Sequence, residues 1–105
     1  MESVLFVFAH PDDAAYGMGG VAWLLKDKFD LHLICATKGE RGLQGRSLTE
    51  TAAIRDKEEK RECELLGAKL TFLDRIDREL YADAETCQQV ADIVRKTAPV
   101  ALFTL

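Results

Sequence analysis

Ser3-Val4-Leu5-Phe6-Val7-Phe8-Ala9 runs without a break into His10-Pro11-Asp12-Asp13. The first part is apolar at consecutive positions, the pattern of a strand covered on both faces. Pro11 then fixes its own φ and biases His10 toward extended backbone, so the strand cannot run straight on into a helix. Further apolar runs of strand length stand at Leu31 to Ala36, Leu70 to Leu73 and Val100 to Leu105. Between them lie helical stretches. Gly17 to Lys28 sets Val21, Leu24 and Leu25 on one side, and Thr49 to Leu66 is long and charged, with Gly67 as its C-cap. Asp83 is the expected N-cap of a helix reaching Thr97, with Ala84, Cys87, Val90, Ala91 and Val94 at helical intervals and Pro99 as its stop.

The order is therefore β-α-β-α-β-α-β. Parallel strands joined by right-handed helical crossovers satisfy it most simply. The expected fold is a Rossmann-like three-layer αβα domain over residues 1–105, with a mostly parallel sheet in the order 3-2-1-4. Ligands in such sheets bind beyond the carboxyl ends of the strands, where strand order reverses. The residues after Ala9 and the glycine-punctuated loop from Lys38 to Leu48 fall at such ends.

Bulk composition narrows the classes. The chain has 105 residues, 48% hydrophobic and 30% charged, with a formal net charge of -4, which is globular and not disordered. It has no lysine-arginine cluster, so nucleic acid is not an expected partner. No apolar run is long enough to span a bilayer, and no basic leader precedes the first strand, so a membrane is not expected either. Cys35, Cys63 and Cys87 form no CxxC pair and are odd in number. Small buried thiols in a reducing cytoplasm are the reading for all three.

His10-Pro11-Asp12-Asp13 carries the chemistry. A turn at Pro11 can bring His10 and Asp13 to the same side, within reach of one cation, and imidazole plus carboxylate suits Zn2+. Asp12, beside them, could take a proton from a metal-bound water. The bland alternative is a helix N-terminus, with Asp12 and Asp13 as caps and His10 idle.

Further stretches join this one. Gly17-Met18-Gly19-Gly20 opens the first helical stretch, and Thr37-Lys38-Gly39-Glu40-Arg41-Gly42 follows the second strand. Ile54-Arg55-Asp56-Lys57-Glu58 and Leu66-Gly67-Ala68 lie in and after the long helix. Together with Ala9 to Asp13, these resemble the LmbE/PIG-L family of zinc-dependent de-N-acetylases along essentially the whole chain. The resemblance implies His10 and Asp13 as zinc ligands, Asp12 as general base, and Arg55 as a substrate contact. Asp77 would lie near the substrate. Glu40 and Arg41 would shape their loop, and Glu58 would be the structural partner of Arg55. The implied reaction is hydrolysis of the acetamide of an N-acetylglucosamine unit, joined in various family members to inositol, malate, lipid or another sugar.

Two departures from the family qualify that expectation. The family's third zinc ligand is a histidine after the fourth strand, where this sequence has ended at Phe103-Thr104-Leu105; His32 reads as a hydrogen-bonded strand residue. Ala14 stands where the family usually has glutamate, a supporting carboxylate. The expectation is therefore a truncated N-terminal half with partial zinc occupancy and impaired activity, assembling as a homo-oligomer through the apolar strand at 100–105. Two other readings compete. A non-catalytic interaction module would keep the fold without the chemistry. A dinucleotide-binding half domain could use Gly17-Met18-Gly19-Gly20-Val21-Ala22, but this motif does not directly follow the first strand, and Ala36-Thr37-Lys38 lacks the ribose-binding acid.

Overall fold

The computed structural model describes residues 1–42 and 45–105. Leu43 and Gln44, in the middle of the Lys38 to Leu48 loop, lie outside the described residues. The elements are β1 (Ser3–Phe8), α1 (Asp13–Leu25), β2 (Asp30–Thr37), α2 (Leu48–Leu66), β3 (Lys69–Arg75), α3 (Ala84–Thr97) and β4 (Ala101–Thr104). The sheet runs β3-β2-β1-β4. All three pairings are parallel. This is the expected order and the expected three-layer architecture.

The continuous apolar strands are explained by two separate cores. Val4, Phe6 and Phe8 of β1 and Leu31 and Leu33 of β2 pack against Ala14 and Ala22 of α1 and Cys63 and Leu66 of α2. Leu5 and Ile34, one position out of step, point to the other face, where Val90, Ile93 and Val94 of α3 cover them. Alternate residues thus serve opposite layers, and neither face of β1 is left for water.

The helix ends follow their capping residues. Ser47 Oγ accepts from the Glu50 amide at 3.1 Å at the start of α2. Gly67 ends that helix at φ 62°, and the Ala68 amide turns back to the Cys63 carbonyl at 2.8 Å. Asp83 Oδ1 accepts from the Thr86 amide at 2.7 Å, as its N-cap position requires. His32 is the expected strand residue, with Nε2 2.9 Å from Thr71 Oγ1.

Two expectations need correction. α1 begins at Asp13, well before Gly17, and ends at Leu25. Ala14 and Ala15 are strong helix formers, and Ala14 is buried against the sheet, so the helix starts as soon as the Pro11 turn allows. Cys87 is exposed, whereas Cys35 and Cys63 are buried. The inward stripe of α3 runs through Thr86, Val90, Ile93 and Val94, which rotates Cys87 and Ala84 outward. Burial first, and then the charge of Glu59, pushes the Cys63 thiol up to about 12 and the Cys35 thiol further still. Among the described residues, no helix is long and apolar enough to cross a membrane.

Candidate active site

The site grows from the carboxyl ends of β1, β2 and β3. The Ala9 carbonyl, just past β1, accepts from both the amide and the hydroxyl of Thr37, at 3.0 and 2.8 Å. Thr37 Oγ1 in turn accepts from the Gly39 amide at 3.1 Å, and Gly42 N closes a turn onto Gly39 O at 2.9 Å. One threonine therefore ties the tips of two strands together and starts the loop that overhangs them.

The Pro11 turn is closed from both sides. Asp13 N donates to His10 O at 3.2 Å, and His10 N donates to Asp13 Oδ2 at 3.0 Å. That fold-back leaves Asp13 Oδ2 3.5 Å from His10 Nδ1. Nitrogen and oxygen ligands at about 2.0–2.2 Å from a tetrahedral ion stand about 3.4 Å from each other. The pair is therefore spaced as two ligands of one small cation would be. Among the described residues, no group of three or more His, Cys, Asp or Glu side chains is arranged to hold a metal ion.

The other imidazole nitrogen of His10 faces the third strand. Nε2 lies 3.0 Å from Asp77 Oδ1, and Asp77 is almost wholly buried. Asp77 Oδ2 accepts from the Arg41 amide at 3.0 Å, while the Asp77 amide donates to Glu40 Oε1 at 3.1 Å. Burial alone would raise this carboxyl. The Arg41 amide and His10 outweigh it and hold Asp77 below the usual carboxylate range. Glu40 and Arg41 thus shape the loop, as expected, and the guanidinium of Arg41 continues outward to Glu79 at 3.0 Å.

Arg55 reaches the site from α2. Its expected structural partner, Glu58, is not the residue it pairs with: Arg55 Nη1 lies 3.5 Å from Asp12 Oδ1. Arg55 points inward because Thr51, Glu59 and Cys63, four residues apart along the same stripe, are buried against the sheet side of α2. Glu58 falls off that stripe. A Cβ at Gly42 would stand 2.7 Å from Arg55 Nη2 and 3.1 Å from the Gly39 carbonyl oxygen, so a side chain there would displace the tip of the guanidinium. Asp12 stands at the N-cap of α1, yet its side chain makes no capping hydrogen bond. Asp13 is turned back onto His10, and His10 is engaged on both ring nitrogens' sides. α1 does begin at this motif, but neither aspartate side chain caps it.

His10, Asp12, Asp13, Arg41, Arg55 and Asp77 line one polar cavity of about 430 Å³. A larger open groove of about 780 Å³ adjoins it and shares Arg41, but holds none of the His10, Asp12 and Asp13 cluster. All five residues singled out in the sequence therefore meet at one place. Glu59 was missed. It is 2% exposed, and its Oε1 is buried without a partner. Burial, followed by the charge of and a hydrogen bond to Glu62, pushes its carboxyl up to about 9. It lines a small recess of about 140 Å³ behind Asp12 and Arg55. The i, i+4 stripe Thr51-Arg55-Glu59-Cys63 was the available signal. Gly17, Gly19 and Gly20 lie inside α1 and not in a strand-to-helix turn, so the dinucleotide motif lacks the geometry it needs.

Comparison with known proteins places this arrangement. The profile of the family described as PIG-L: GlcNAc-PI de-N-acetylase matches residues 5–105. The diacetylchitobiose deacetylase of Thermococcus kodakarensis is 35% identical over 103 residues, covering 94% of this chain and 39% of its own length. A 4-oxalmesaconate hydratase of Pseudomonas putida is 32% identical over 107 residues, covering 93% of this chain and 41% of its own. In structure, the N,N'-diacetylchitobiose deacetylase of Pyrococcus horikoshii superposes with a TM-score of 0.91 at 37% identity, over 97% of this chain and 40% of that one. The chain thus spans about two-fifths of the length of these relatives. With the motif residues gathered at the strand ends and the match running nearly from end to end, the chain belongs to the PIG-L family of enzymes, the GlcNAc-PI de-N-acetylase family.

Proposed function

We propose that the chain carries the metal-and-base half of a zinc-dependent de-N-acetylase site acting on an N-acetylglucosamine-containing small molecule. The observation that carries this reading is the 3.5 Å spacing of His10 Nδ1 and Asp13 Oδ2 at the end of β1. Those two atoms would hold the ion. When bound, Zn2+ lowers the pKa of a coordinated water and polarises an acyl oxygen.

The chain's own groups do the rest. Asp12, next to the ligands and half exposed, is the base that takes the proton of the attacking water. Arg55 holds Asp12 in place through its guanidinium and presents the remaining donors to the cavity as a substrate contact. Asp77 stands on the wall of the same cavity, with its two oxygens engaged by His10 and by the Arg41 amide. The deacetylase relatives support an N-acetylated sugar as the substrate class. The hydratase relative supports a second reading, in which the same scaffold activates water for addition to an unsaturated acid.

Among the described residues, His10 and Asp13 are the side chains placed as ligands, and a catalytic zinc site uses three. Two-point zinc binding by these side chains alone is expected to be weak, with slight acetate release. Competition titration against a zinc chelator should show binding that His10→Ala and Asp13→Ala each abolish. Equal affinity in wild type and both variants would sink the metal reading, and robust zinc-dependent acetate release by the chain alone would sink the two-ligand account. Acetate release from an N-acetylated sugar against hydration of an unsaturated acid, measured on a full-length relative carrying these residues, separates the two reactions.

The reading extends to setting and assembly. Free Cys35, Cys63 and Cys87 suit a reducing cytoplasm. Among the described residues β4 pairs with β1, and Leu102 and Leu105 are exposed beside it; pairing of this edge with a second copy of the 105-residue chain is proposed. Light scattering at high concentration should report a dimer or larger; a clean monomer counts against it.

A further inference from the structure

We infer that Asp77 is a positioning residue, whose carboxylate fixes the ring orientation and proton placement of His10 and so sets the cation affinity of the His10–Asp13 pair. The inference deepens the metal reading above and rests on it.

A neutral imidazole carries one proton on one of its two nitrogens, and its partners decide which. Asp77, ionised, can only accept. With Oδ1 3.0 Å from Nε2, the proton belongs on Nε2. Nδ1 is then left with its lone pair, facing Asp13 Oδ2 at 3.5 Å. A proton on Nδ1 would close the position that a cation needs. Asp13 Oδ2 competes poorly for that proton, since it already accepts from the His10 amide at 3.0 Å and stands farther from the ring.

Asp77 is built to hold still. Its side chain is 6% exposed, against 44% for His10, so the aspartate is the enclosed partner and the histidine the solvent-facing one. Its second oxygen is taken by the Arg41 amide, and its own amide is tied to Glu40. Both carboxylate oxygens are spent inside the protein, and a substrate hydroxyl could reach either only by displacing one of these bonds. Without Asp77, the ring of His10 is free to turn to solvent or change tautomer. A carboxylate behind a ligating histidine commonly carries about 10- to 100-fold in metal affinity.

The test uses the full chain, isotope-labelled for NMR and titrated with Zn2+ against a fluorescent chelator. In the metal-free wild type the His10 Nε2–H proton should be visible and slow to exchange, and Asp77→Ala should lose it. Zinc affinity should fall about 10- to 100-fold in Asp77→Ala. Asp77→Asn keeps the shape but can accept only one of the two bonds, so its affinity should fall between; it carries the test if the alanine variant does not fold. Glu40→Ala cuts the loop's tie to the Asp77 amide while sparing the His10 bond, and should stay near wild type. Unchanged zinc affinity in both Asp77 variants overturns the inference, as does an equal loss in Glu40→Ala, which would make loop architecture the cause. Zinc binding that ignores His10→Ala defeats the parent metal reading and the affinity effect with it. A missing Nε2–H signal in a wild type that does bind zinc through His10 defeats the positioning role alone.

Discussion

The strand tips around His10 and the β4 edge are made from similar apolar runs, yet they end in opposite conditions. At the tips of β1, β2 and β3, polar groups are paired and partly buried: Thr37 holds Ala9, Asp77 holds His10 and Arg41, and Glu40 holds Asp77. On β4, only Phe103 is partly buried, and Ala101, Leu102 and Thr104 face outward. The difference lies in the number of covered sides. β1 has a strand on each edge and a helix layer on each face, whereas β4 pairs with β1 alone. Burial on all sides makes the strand end rigid enough to aim a histidine.

Cutting the same ring from each region should show this contrast most strongly. Phe6 is fully buried and stacks on both Phe8 and Phe103, with centroids 6.3 and 5.2 Å away. Phe6→Ala should cost about 3–5 kcal/mol in chemical denaturation, enough to threaten folding in a chain of this size. Phe103→Ala removes the other half of one stacked pair from a half-open position, and should cost roughly 1–2 kcal/mol. Equal losses would mean that β4 is as well buried as the centre of the sheet, and the contrast would fail.

What could be read from the sequence divides along the same line. The order of elements, the β3-β2-β1-β4 topology and the caps Ser47, Gly67 and Asp83 rest on periodicity or on bonds spanning a few residues, and two of these caps were named from the sequence. The His10–Asp13 turn is equally local, because Pro11 restricts the backbone between them. The partner of His10 was not legible: Asp77 lies 67 positions away, and its place depends on how β3 ends and how the Glu40–Arg41 loop folds over it. Arg55 lines the same cavity as His10, but its partner is Asp12 and not Glu58, since the rotation of α2 is fixed by which stripe meets the sheet. Cys87 failed for the corresponding reason on α3. Residues at helical spacing define a stripe, but tertiary packing decides which neighbouring stripe turns inward.

Glu59 offers the sharper probe of the buried side, with a smaller effect than the loss of Phe6. Its carboxyl moves from an ordinary value of 4.5 to about 9, through burial first and the neighbouring Glu62 next. The folded chain therefore keeps a proton that the unfolded chain gives up above pH 4.5. Stability falls as pH rises through the interval from about 4.5 to about 9, because there the folded state binds more protons than the unfolded one. Glu62, also raised by burial, adds to the same slope. Glu59→Gln keeps the shape and a hydrogen-bond donor toward Glu62, but has no charge to bury. The variant should be more stable than wild type at pH 8 by on the order of 2–3 kcal/mol, with the gap closing toward pH 4.5. Thermal melts of both proteins across that range read it directly. A gap that stayed flat with pH would show that Glu59 is ionised in the folded chain, and that the recess behind Asp12 and Arg55 is wet enough to solvate it.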